Sequence, residues 1–130
     1  MTTLKGNGKS LGFQDGGGLP VNKEAVQTAL DGVDFGAIVA SMSEDMRERI
    51  TSQFDMVALA RVFEDESLMH TVDVFIENGL NVSLTSRKLY MHRNTLQYRL
   101  NAIYKITGIN LKSVRVAVIF KTLHYLYLNK

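Results

Sequence analysis

The sequence predicts an all-α fold, a helix-turn-helix domain preceded by a small helical segment. Three observations carry that expectation. Proline occurs once in 130 residues, while Leu, Ala, Met and Val are plentiful, a composition that favours helices. Apolar residues recur at helical spacing, as Met56, Leu59, Ala60 and Phe63 do. Between Asn81 and Gly108 a short helix, a tight turn and a longer helix follow one another, which is the helix-turn-helix pattern.

Taken in order, residues 1–20 read as a flexible Gly-rich tail closed by Pro20. Gly8-Lys9-Ser10 does not make a phosphate-cradling loop, because the position five residues before Gly8 is Thr3 and no strand precedes it. Residues 21–66 read as an acidic N-terminal helical segment. Asn22 can cap a helix over 23–30, which Asp31-Gly32 ends. A second helix covers 35–42. Ser43 caps a third over 44–54, with Glu44 and Asp45 in the first turn where the helix dipole favours anions. Asp55 starts a fourth that runs through Phe63, and Glu64-Asp65-Glu66 breaks it.

Residues 67–130 form the expected helix-turn-helix domain. Ser67 caps a helix that buries Leu68, Val72, Phe75 and Ile76 and stops at Gly79. Asn81 or Ser83 caps a short helix ending near Leu89. Tyr90-Met91-His92 connects it to a helix over 93–106, terminated by Gly108. A last helix spans 113–128.

Composition narrows the function classes. The chain has no cysteine, which excludes disulfides, Cys-based metal sites and a thiol nucleophile, and fits a reducing, cytoplasmic setting. No apolar run approaches the roughly 18–20 residues that span a bilayer, so no membrane association is expected. His70, His92 and His124 sit in no metal-ligand spacing and have no Ser or Asp beside them in a catalytic pattern. Neither an enzyme nor a cofactor is expected.

Charge points elsewhere. The last acidic residue is Glu77, and the 53 residues after it hold nine cations: Arg87, Lys88, Arg93, Arg99, Lys105, Lys112, Arg115, Lys121 and Lys130. The part up to Glu77 carries −7 and the part after it +9, a division that the net charge of +2 conceals. The field of a segment without anions must be answered by water, salt or a polyanionic partner, and such asymmetry points to nucleic acid or a membrane surface. On a helical wheel of 93–106, Leu96, Leu100 and Ile103 share the core face, while Asn94, Tyr98, Asn101 and Lys105 share the opposite one, flanked by Thr95 and Gln97. Paired amide donors and acceptors suit adenine edges, and arginine suits guanine. The base-contact candidates are therefore Arg93, Asn94, Gln97, Tyr98 and Asn101. The phosphate-contact candidates are Arg87, Lys88, His92, Thr95, Arg99, Lys105 and Lys112. Arg99 lies nearer the core side, so it either anchors the helix through a backbone hydrogen bond or reaches a phosphate.

The run Leu89-Tyr90-Met91-His92-Arg93-Asn94-Thr95-Leu96-Gln97-Tyr98-Arg99-Leu100, followed by Ile103 and Thr107-Gly108, resembles the signature of the PucR-type helix-turn-helix, also found in sugar-diacid regulators. The similarity extends over about 67–128. It implies a bacterial transcriptional regulator, or its DNA-binding fragment, with the helix over about 93–106 in the major groove of double-stranded DNA. Ser86 stands where the family usually has alanine, which implies slightly altered packing between the two motif helices. The family's regulators also have a much larger N-terminal sensory region than residues 1–66, so a fragment or a reduced member is expected. The small-molecule effector stays unknown and is not expected to bind this chain.

The last helix carries Val116, Ile119, Phe120, Leu123, Leu126 and Tyr127 on one stripe, with Val118 and Tyr125 off it. It reads as a central core helix whose extra apolar positions can pair with a second chain. A homodimer is the expected assembly, since two recognition helices about 34–36 Å apart read successive major-groove turns. The competing reading is a helix-turn-helix that serves protein interaction or dimerisation without DNA.

Overall fold

Polar side chains at the helix starts set the framework. Asn22, Ser43, Asp55, Asp65, Asn81 and Ser113 hold extended backbone, and each accepts a hydrogen bond from the N–H three residues on. Such caps contribute about 1 kcal/mol apiece. The computed structural model describes residues 20–129, so the proposed tail, apart from Pro20, lies outside the described residues. Among the described residues there are eight helices and no strand. The chain divides into two compact units, Met1–Asp34 and Phe35–Lys130.

The first unit contains α1 (Lys23–Asp31), an amphipathic helix with no buried residue. Gln27 donates to the Asp31 carboxylate at 2.9 Å along its surface.

The second unit contains α2 (Phe35–Ala40), α3 (Glu44–Thr51), α4 (Met56–Phe63), α5 (Glu66–Glu77), α6 (Val82–Lys88), α7 (Arg93–Thr107) and α8 (Val114–Leu128). α4 packs against α5, α7 and α8; α2 and α3 lean on α8; α6 bridges α5 and α7. The core joins Leu59, Val62 and Phe63 of α4 to Met69, Val72 and Phe75 of α5, Ile103 of α7, and Phe120 and Leu123 of α8. Phe63 meets Phe120 edge-on, with centroids 5.4 Å apart. That geometry adds about 0.5–1.5 kcal/mol to the area the two rings bury. His124 lies against Phe63 at 4.9 Å, and its buried Nδ1 has no hydrogen-bond partner. Burial and then the Lys121 charge push its pKa below the usual imidazole value, with Asp73 opposing. Tyr127 donates its phenol to the Glu64 carboxylate, tying α8 to the end of α4.

Several expected boundaries move. α2 and α3 stop at Ala40 and Thr51, earlier than their apolar and polar patterns suggest, and α7 continues to Thr107. α5 starts two residues early, because the Asp65 carboxylate rather than the Ser67 hydroxyl takes the cap. Ser67, inside the first turn, is left for another partner. Among the described residues, one of the cations after Glu77 is answered by the acidic part: Lys121 donates to Asp73 at 2.7 Å.

Candidate nucleic-acid interface

α6, the turn after it and α7 are held from beneath. Leu96 and Ile103 of α7 are fully buried, and Leu100 packs against the same core. Thr85 and Ser86 bury the inner side of α6. The Ser86 hydroxyl donates to the Ser83 carbonyl at 2.9 Å, so a serine is satisfied within its own helix at a buried position. α7 ends at Gly108 with φ of 79°, a left-handed residue whose N–H closes the helix on the Tyr104 carbonyl at 2.7 Å.

With the inner face anchored, the outer face is determined by helical geometry. Arg93, Asn94, Thr95, Gln97, Tyr98, Asn101 and Lys105 are all exposed, Tyr98 to 75%. The strip therefore presents two asparagines, a glutamine, a threonine and a phenol together, with an arginine at its start and a lysine near its end. Arg87 and Lys88 are exposed in the last turn of α6, and Lys112 is exposed beyond α7. His92 caps α7: its Nδ1 accepts from the Asn94 N–H at 3.0 Å. In the neutral ring this leaves Nε2 as the donor, on an exposed side chain at a helix N-terminus where anions are favoured. Arg93 reaches the Ser83 hydroxyl at 3.4 Å, which links the starts of the two motif helices.

Arg99 is the one candidate turned inward. Its Nη1 donates to Ser67 at 2.7 Å and to Thr71 at 3.1 Å. It anchors α7 to α5 through side-chain hydroxyls, where the sequence suggested a backbone partner or a phosphate. Sequence reasoning assigned no such role to Ser67 and Thr71; their i, i+4 spacing on α5 was the available signal. Tyr90, a connector by its place in the sequence, is 97% exposed with φ of 54°.

Among the described residues no cluster of three or more His, Asp or Glu could hold a metal ion, and no helix is long and apolar enough to cross a membrane.

Residues 68–122 match the PucR C-terminal helix-turn-helix domain. The chain is 38% identical over 69 residues to the purine catabolism regulatory protein of Bacillus subtilis (strain 168), a match covering 53% of this chain and 13% of that protein. It is 36% identical over 76 residues to the uncharacterised protein YxkF of the same organism, covering 58% of this chain and 26% of the relative. To the carbohydrate diacid regulator of Escherichia coli (strain K12) it is 41% identical over 44 residues, covering 34% of this chain and 11% of the relative. The chain thus spans about a quarter or less of each of these relatives. No solved structure matches it.

Proposed function

We propose that this chain, whose residues 68–122 form a PucR C-terminal helix-turn-helix domain, binds double-stranded DNA sequence-specifically as a transcriptional regulator or the DNA-binding part of one. The observation that carries this reading is the exposed amide-, hydroxyl- and arginine-bearing strip of α7, in a segment that has no acidic residue of its own. α7 enters the major groove. Arg93, Asn94, Gln97, Tyr98 and Asn101 contact base edges, and Arg87, Lys88, His92, Thr95, Lys105 and Lys112 contact phosphates. Arg99 serves by holding α7 on α5. Two relatives are named as a purine catabolism regulatory protein and a carbohydrate diacid regulator, which supports a regulatory role without naming a pathway for this chain. The working form is a cytoplasmic homodimer; α8 leaves Val114 and Val118 exposed beside its buried stripe, a surface suited to pairing.

Duplex titration at two salt concentrations tests the reading. A protein that neutralises about six phosphates loses roughly 10³-fold or more in affinity between about 50 and 200 mM salt. Selection from a random duplex pool should in addition enrich one sequence. A folded chain that binds no duplex at low salt is instead a helix-turn-helix protein-interaction module.

A further inference from the structure

Three helices of the second unit are followed by a left-handed residue. After α5 it is Gly79 (φ 68°), after α7 it is Gly108 (φ 79°), and after α6 it is Tyr90 (φ 54°). The hydrogen bonds around Tyr90 copy those around Gly79. Tyr90 N–H donates to the Arg87 carbonyl at 3.2 Å and Met91 N–H to the Ser86 carbonyl at 3.0 Å. Gly79 N–H likewise donates to Ile76 at 3.0 Å and Leu80 N–H to Phe75 at 2.8 Å. This paired closure favours glycine, because a Cβ at the left-handed position crowds the following carbonyl oxygen. Leu80 shares the handicap, with φ of 62°, but its side chain packs against the core. Tyr90 has no such return. Its side chain is 97% exposed, and its phenol makes no hydrogen bond among the described residues. A strained residue whose ring gains nothing within the fold suggests a use outside it.

We propose that Tyr90 contacts the nucleic-acid backbone, its phenol O–H donating to a phosphodiester oxygen next to the base pairs that α7 enters. The assignment rests on the DNA-binding reading above and adds to it a neutral donor at the turn. Its exposed neighbours in sequence are Arg87, Lys88, His92 and Arg93, while Leu89 and Met91 are half-buried. An apolar protein partner would find no apolar surround there. A phosphate would find cations on both sides and the positive end of α7. A hydrogen bond to a phosphate carries no sequence information, so Tyr90 should set the register of the turn on the duplex and leave base preference to α7.

Tyr90→Gly and Tyr90→Phe, compared with wild type by thermal melting and by titration of operator and random duplex at one salt concentration, test this. Glycine suits the turn, so Tyr90→Gly should melt roughly 2–4 °C higher. Its affinity should nevertheless fall about tenfold, the scale of one hydrogen bond to a charged acceptor. Tyr90→Phe keeps ring and backbone and should lose a similar factor on both duplexes. If wild type binds and either variant stays within twofold of it, the phenol contact is wrong while the DNA-binding reading stands. A wild type that binds no duplex removes that reading itself. Variants that alter self-association but not duplex affinity make Tyr90 a protein contact, and overturn the proposal.

Discussion

α3 and α7 are both half-exposed helices, but their outer faces are built differently. α3 shows Glu44, Asp45, Glu48 and Arg49 to solvent, both signs on one helix, with Arg49 and Asp45 paired at 3.7 Å. Its other arginine turns inward, and Arg47 ties the helix to the carbonyls of Ala40, Met42 and Asn129. α7 shows amides, a phenol and cations, and has no acidic residue. A face that mixes both signs, with a cation and an anion paired one turn apart, is served by water alone. A face with unanswered donors, acceptors and positive charge is suited to a polar, anionic ligand. Exposure alone does not separate the two helices; what their exposed groups still lack does.

The largest expected effect comes from removing the inward anchor that lets α7 face outward. Leu96→Ala should destabilise the second unit by about 2–5 kcal/mol, read by denaturant or thermal unfolding. An unchanged midpoint would mean that Leu96 does not hold the helix. Next, Asn94→Ala and Gln97→Ala should leave the melting temperature nearly unaltered and each lower discrimination between operator and random duplex by about 1–3 kcal/mol. Equal losses on both duplexes would reduce these residues to backbone contacts and weaken the contrast with α3. The smallest effect belongs to α3. Asp45→Asn breaks an exposed i, i+4 pair and should cost at most about 0.5 kcal/mol, with duplex affinity changed less than in either α7 variant. A larger loss of affinity there would place α3 at the interface and dissolve the comparison.

Much of the fold was legible because its signals are local. Asn22, Ser43, Asp55 and Asn81 stand where helices begin and do cap them, since a cap needs only its own side chain and an N–H three residues away. The same locality misled at α5, where Asp65 and Ser67 both offer a capping oxygen within one turn. The inner face of α7 followed from 3.6-residue periodicity, and Leu96 and Ile103 are buried as that spacing requires. The partners of Arg99 were not legible, because Ser67 and Thr71 lie 32 and 28 residues away and meet it only after α5 packs on α7. Nor was the answer to Lys121, whose anion Asp73 is 48 residues distant.

The chain's own order of residues determined that these helices form and where most of them begin, which face of α7 is apolar, and that its last 53 residues have no internal anion. These depend on neighbours within a turn or two, which the sequence states directly. Packing alone decided that α4 would be buried among α5, α7 and α8, that Arg99 would find Ser67 and Thr71, and that no neighbouring helix would cover Tyr90. Such outcomes depend on distances between groups far apart along the chain, and those distances exist only once the helices have packed.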